Sequence, residues 1–120
     1  MSDTDTGPVP GRGPDISPAD TLTAHTQAAA DVIDVREPDE WAAGHVEGTR
    51  HVPLSELDPS HLDPQRPVIT VCRSGGRSGK AADQLAAAGF TVRSMTGGLN
   101  EWHQQNMALV RDDGTPGGLN

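Results

Sequence analysis

The 120-residue chain predicts an α/β fold, a small and mostly parallel sheet covered by helices on both faces. Two observations lead there. Short runs of β-branched residues, Asp31-Val32-Ile33-Asp34-Val35 and Val68-Ile69-Thr70-Val71, have the character of buried strands. Segments carrying helix start and stop signals lie between and after them, so strands and helices alternate.

The elements follow in order. Residues 1–13 are polar and rich in Gly and Pro, and read as a disordered leader. Ser17 is a helix N-cap, with Pro18 at N1 and Asp20 at N3, and that helix should run to about Ala29. Asp31 to Val35 is a strand. Glu37-Pro38-Asp39-Glu40-Trp41 opens a brief helix that Gly44 ends. Arg50-His51-Val52 is a second small strand, and Pro53 to Leu57 a further short helix. Val68 to Val71 is a strand. Ser78 to Ala88 is an Ala-rich helix stopped by Gly89. Phe90 to Met95 is the next strand, and Gly97-Gly98-Leu99-Asn100-Glu101-Trp102 begins the last helix. From about Asp112 the sequence reads as a loose tail. The expected organisation is therefore a leader over 1–13, one domain over 14–111 and a flexible tail over 112–120, with no internal repeat.

Bulk properties exclude several classes. Phe90, Trp41 and Trp102 are the only aromatic residues, so Val, Leu, Ile and Ala must build the core. One cysteine excludes an internal disulfide and any cysteine-rich metal site. No apolar run approaches a membrane span of roughly 20 residues, and the start of the chain has no apolar signal region, so the cytoplasm is the expected compartment. A net charge of −8 argues against nucleic-acid binding. The positive charge is nevertheless local. Between Pro64 and Ala82 there is no acid, yet Arg66, Arg73, Arg77 and Lys80 all fall there, around the one thiol.

That thiol, Cys72, follows a strand directly and precedes Arg73-Ser74-Gly75-Gly76-Arg77-Ser78 and a helix start. In parallel sheets, ligands bind outside the carboxyl ends of the strands, which is where Cys72 falls. The helix would direct its positive end at the sulfur. The loop amides can curl inward as an anion nest, Gly75 and Gly76 permit positive φ, and both arginines offer planar donors to an oxyanion. Such surroundings favour a thiolate over a thiol. Cysteine phosphatases place five residues between Cys and Arg; here four separate Cys72 from Arg77. The tighter ring suits one added sulfur better than a phosphate ester. Ser78-Gly79-Lys80 superficially resembles a nucleotide-binding phosphate loop, but Ser74 stands where the first glycine is required and Ala81 where the hydroxyl is.

Three motifs together make the chain resemble the single-domain rhodaneses, a sulfurtransferase family, over roughly Ile16 to Val110. They are Asp34-Val35-Arg36-Glu37-Pro38 with Glu40-Trp41, Gly44-His45-Val46-Glu47-Gly48 and His51-Val52-Pro53; the loop Cys72 to Ser78; and Gly97-Gly98-Leu99-Asn100-Glu101-Trp102. The resemblance implies a rhodanese-like α/β domain without metal or organic cofactor, in which Cys72 accepts sulfur as a persulfide. It implies that N–H groups from Arg73 through Ser74, Gly75, Gly76 and Arg77 to Ser78 hold the outer sulfur, and that Arg73 and Arg77 attract a small anionic donor such as thiosulfate. Asp34 and Arg36 match the family's acid–base pair, in a supporting role. The acceptor would be cyanide or a thiol, including a protein thiol, with no nucleic acid or membrane as partner. The alternative is a low-turnover sulfur-relay or partner-docking module; a phosphatase or arsenate reductase is less favoured. His25, His45, His51, His61 and His103 form no metal-ligating pattern, and Trp41 and Trp102 read as plugs at the core edges.

Overall fold

The computed structural model describes residues 11–119. Its elements are α1 (Pro18–Thr26), β1 (Asp31–Asp34), α2 (Pro38–Ala43), β2 (Arg50–His51), β3 (Val68–Val71), α3 (Gly76–Ala87), β4 (Val92–Ser94) and α4 (Gly98–Gln104). The four strands form one sheet in the order β2-β1-β3-β4, and every pair is parallel.

Strand parity builds two cores. On β3, Ile69 and Val71 face one side with Trp102, Leu99, Met95 and Val32. Val68 and Cys72 face the other with Ile33, Val35, Ala81, Ala82 and Leu85. Each face has its own apolar layer, so all four residues of β3 are buried. The small side chains along α3 let that helix lie close over β3, directly above Cys72.

Several boundaries differ from the sequence reading, each for a local reason. The helix after the cysteine begins at Gly76, two residues before Ser78, because Gly75 caps it in the left-handed region with φ 110°. Gly76 itself is helical, so only one of the two glycines uses positive φ. α1 ends at Thr26 because the chain turns at Ala28, φ 54°, whose neighbour Ala29 N–H closes onto Ala24 C=O at 2.9 Å. β4 is shorter than Phe90 to Met95 because Phe90 N–H bonds Leu85 C=O at 3.0 Å, finishing the helix instead of joining the sheet. The helix expected over Pro53 to Leu57 is a single 3-10 turn, Leu54–Glu56.

The reading of a leader falls largely on residues 1–10, outside the described residues. Beyond them, Val92 N–H bonds Gly11 C=O at 3.0 Å and Gly13 N–H bonds Val92 C=O at 2.8 Å, so residues 11–13 run along the β4 edge. At the other end, Gly117 N–H reaches Leu109 C=O at 2.9 Å and Gly118 N–H reaches Ala43 C=O at 3.0 Å. The segment read as a tail is thereby bonded to the end of α2.

Candidate active site

β3 delivers Cys72 to the carboxyl edge of the sheet, and its parity with Val68 and Thr70 turns the side chain under the start of α3. The residue is 1 % exposed. Its sulfur nevertheless faces the loop: Gly75 N–H donates to Sγ at 3.0 Å, and Ser78 Oγ lies 3.4 Å away. Ser78 is wholly buried in the first turn of α3. Its single hydroxyl proton also has Gly75 C=O within reach at 3.2 Å, and its oxygen meets Ser94 Oγ at 2.8 Å. Thr70 Oγ1 donates to Ser78 C=O at 2.8 Å, which pins that turn to β3.

These contacts set the acidity of the thiol. Burial pushes its pKa up. Hydrogen bonds from the Ser78 side chain and from the amides of Ser78, Gly75 and Ser74 favour the anion and outweigh burial, so the net displacement is downward. The arrangement stabilises a buried thiolate and offers amide donors to an atom attached to it.

The third glycine motif holds the loop from outside. Leu99 N–H donates to Cys72 C=O at 2.8 Å and Asn100 N–H to Arg73 C=O at 2.9 Å. This needs backbone against backbone. A Cβ on Gly98, φ 60°, would stand 2.5 Å from Arg73 C=O and from Cys72 O. Sequence pattern marks the glycine pair; Gly98 is the one whose lack of a side chain docks α4 onto the loop.

Arg77 is held by a carboxylate from another element. Glu40, in α2, grips it through two bonds of 2.6 and 2.9 Å. The hydrogen bonds with Arg77, opposed by partial burial, take the Glu40 carboxyl from 4.5 down to about 2. Arg77 shifts upward for the same reason. The sequence places Glu40 at a helix start and in the first motif without a partner; the structure makes it the counter-ion of Arg77 at the rim of the cysteine loop. Arg73 is half-buried in the first turn of the loop. Ser74, Gly75 and Ser78 hydrogen-bond toward the sulfur and Arg77 acts on it electrostatically, while Gly76 is the first residue of α3.

Asp34 and Arg36 form a buried pair one strand away, 2 % and 1 % exposed. Arg36 donates to the Asp34 carboxylate from Nε at 2.9 Å and from Nη2 at 2.8 Å, then reaches Gly44 C=O at 2.7 Å and Glu40 C=O at 3.2 Å. The pair ties β1 to both ends of α2, and α2 carries Glu40 to Arg77. Trp41 stacks on His45 with centroids 3.6 Å apart and on His51 at 4.7 Å. Trp102 is buried under the other face. Among the described residues, no group of three or more His, Cys, Asp or Glu is placed to hold a metal ion, and no helix is long and apolar enough to cross a membrane.

Comparison with known proteins agrees with this architecture. The family described as the rhodanese-like domain matches residues 17–105. The uncharacterized protein YqhL of Bacillus subtilis is 40% identical over 76 residues, 61% of this chain and 60% of its own length. The chain thus spans somewhat less than two thirds of that relative. The thiosulfate sulfurtransferase GlpE of Ectopseudomonas mendocina is 37% identical over 90 residues, 72% of this chain and 82% of GlpE. Among solved structures, a rhodanese-related protein of Thermoplasma volcanium superposes with a TM-score of 0.75 at 28% identity, covering 82% of this chain and 98% of that one.

Proposed function

Because the chain belongs to the rhodanese-like domain family, we propose that it is a sulfurtransferase that moves a sulfane sulfur from thiosulfate, or another persulfide donor, to a thiol or cyanide. Cys72 thiolate attacks the outer sulfur of thiosulfate. The S–S bond of the donor breaks, a new one forms to Sγ, and sulfite leaves with the electron pair. The enzyme then holds an anionic persulfide. An acceptor thiolate or cyanide attacks its outer sulfur, takes it as a persulfide or thiocyanate, and returns Cys72 to the thiolate. Charge balances in both steps and no external oxidant is needed. No general base is required of a thiol that starts ionised.

The observation that carries this reading is the 3.0 Å bond from Gly75 N–H to Sγ inside a loop with only four residues between Cys72 and Arg77. The outer sulfur adds one bond of about 2.05 Å, and the loop amides supply donors to it. Arg73 and Arg77 draw the anionic donor inward, and the donor must compete with Glu40 for Arg77 and with the existing contacts of Arg73. Asp34 and Arg36 support the loop through α2. A lone reduced thiol suits a reducing compartment, which supports the cytoplasm.

The test is thiocyanate formation from thiosulfate and cyanide. Wild type should turn over and Cys72→Ser should not; equal rates would overturn the reading. Burial of Cys72 and neutralisation of Arg77 also favour a second reading, a sulfur relay of low turnover serving a protein thiol. Its signature is fast single-turnover persulfide transfer beside slow steady-state thiocyanate release.

A further inference from the structure

Ser94 ends β4 in register with Thr70 of β3. It is buried, and its Oγ lies 2.8 Å from Ser78 Oγ. Among the described residues, Ser78 is the one hydrogen-bond partner of that hydroxyl. A buried hydroxyl proton without an acceptor is costly, so Ser94 donates to Ser78. Ser78 Oγ then has one proton of its own to place, on Gly75 C=O at 3.2 Å or on the Cys72 sulfur at 3.4 Å. A thiolate competes for that proton better than a neutral carbonyl does.

We propose that Ser94 is a positioning residue for the nucleophile, acting through Ser78. Donation from Ser94 polarises the Ser78 hydroxyl and makes it a stronger donor to sulfur. It also occupies a lone pair of Ser78, so the neutral S–H finds a poorer acceptor there. Both effects favour the anion over the thiol. The three-atom chain Ser94 Oγ, Ser78 Oγ, Cys72 Sγ crosses from β4 through α3 to the end of β3, so the far strand helps set the charge state of the reacting atom.

Charged groups near Cys72 would stay in place when Ser94 changes. Arg73 and Arg77 belong to its own loop and helix, Glu40 on α2 is bonded to Arg77, and Asp34 is closed onto Arg36 at the end of β1. On β4, Arg93 turns to Pro14 C=O, and on α4, Glu101 accepts from Gln105 at the surface. A change at Ser94 therefore reports on the hydroxyl chain.

This inference rests on Cys72 being the nucleophile, and its test does not use sulfur transfer. The rate of Cys72 alkylation by iodoacetamide is measured against pH in wild type, Ser94→Ala and the isosteric pair Ser94→Thr and Ser94→Val. The alkylation midpoint should rise by about half to one pH unit in Ser94→Ala and Ser94→Val, and stay near wild type in Ser94→Thr. If Ser94→Ala does not fold, the Thr and Val variants still decide the question. Unchanged midpoints without the hydroxyl would overturn the proposal. So would a Thr variant that moves as far as Val, since shape would then be the cause. A wild type that titrates low yet transfers no sulfur would sink the proposed activity and leave this inference standing.

Discussion

Replacing Glu40 by Gln removes one negative charge from the rim of the cysteine loop and changes little else. Gln serves at N3 of a capping box as Glu does, so the bond from Glu37 N–H is retained. In wild type the carboxylate holds Arg77 at 2.6 and 2.9 Å, and its pKa lies at about 2 against an ordinary 4.5. At about 1.36 kcal/mol per pH unit this is a gross ~3.4 kcal/mol. The Arg77 side chain is 35 % exposed, and solvent screening reduces the net contribution to about 1–1.5 kcal/mol. The sign follows from the folded carboxyl being the stronger acid. Its stabilisation is complete above pH 4.5 and drains away as pH falls through about 2. Glu40→Gln should therefore lower Tm by roughly 4–8 °C at pH 7, and by less than half as much at pH 3. Melts followed by circular dichroism at the two pH values give the comparison. The variant also leaves Arg77 without its counter-ion, so KM for thiosulfate should fall about three- to tenfold at low salt, with less benefit at high salt. A variant as stable as wild type at pH 7 would mean that the pair does not form in solution. A deficit equally large at pH 3 would trace the loss to packing rather than charge.

Other perturbations separate the supports of the site. Arg36→Met leaves Asp34 charged, buried and unpaired, and should cost about 3–5 kcal/mol in urea unfolding; the double variant Asp34→Leu/Arg36→Met should lose less than the single one. Gly98→Ala forces a Cβ to 2.5 Å from the Arg73 and Cys72 carbonyl oxygens, and should cost about 1–3 kcal/mol while lowering sulfur transfer by roughly tenfold or more. Gly89→Ala, also at positive φ but with open space around it, should lose stability and keep transfer; equal losses of transfer in the two would refute the docking role of Gly98. Ser78→Ala should raise the midpoint of Cys72 alkylation further than any change at Ser94, because it removes the donor itself.

Much of this site is legible in the residues. Val68 to Val71 reads as a strand because its side chains suit a sheet buried on both faces, and the structure gives the same limits. Cys72 is marked by the glycines, arginines and helix start that follow it. What sequence conceals is pairing across distance. Glu40 and Arg77 are 37 residues apart, and only the docking of α2 beside the loop brings them together. Ser94 carries no motif at all; its value arises from strand register, which sets it beside Thr70 and under Ser78. The early start of α3 was hidden for a different reason. Two adjacent glycines look equally able to adopt positive φ, and only the packed loop shows that Gly75 turns while Gly76 is already helical.

Mass spectrometry of the intact protein after brief exposure to thiosulfate at neutral pH bears most directly on the sulfur chemistry. A gain of one sulfur atom, mapped to Cys72, absent in Cys72→Ser and removed by cyanide, is the expected result. A wild-type protein that keeps its original mass, or carries the added sulfur elsewhere, would contradict a persulfide held in the Cys72 loop.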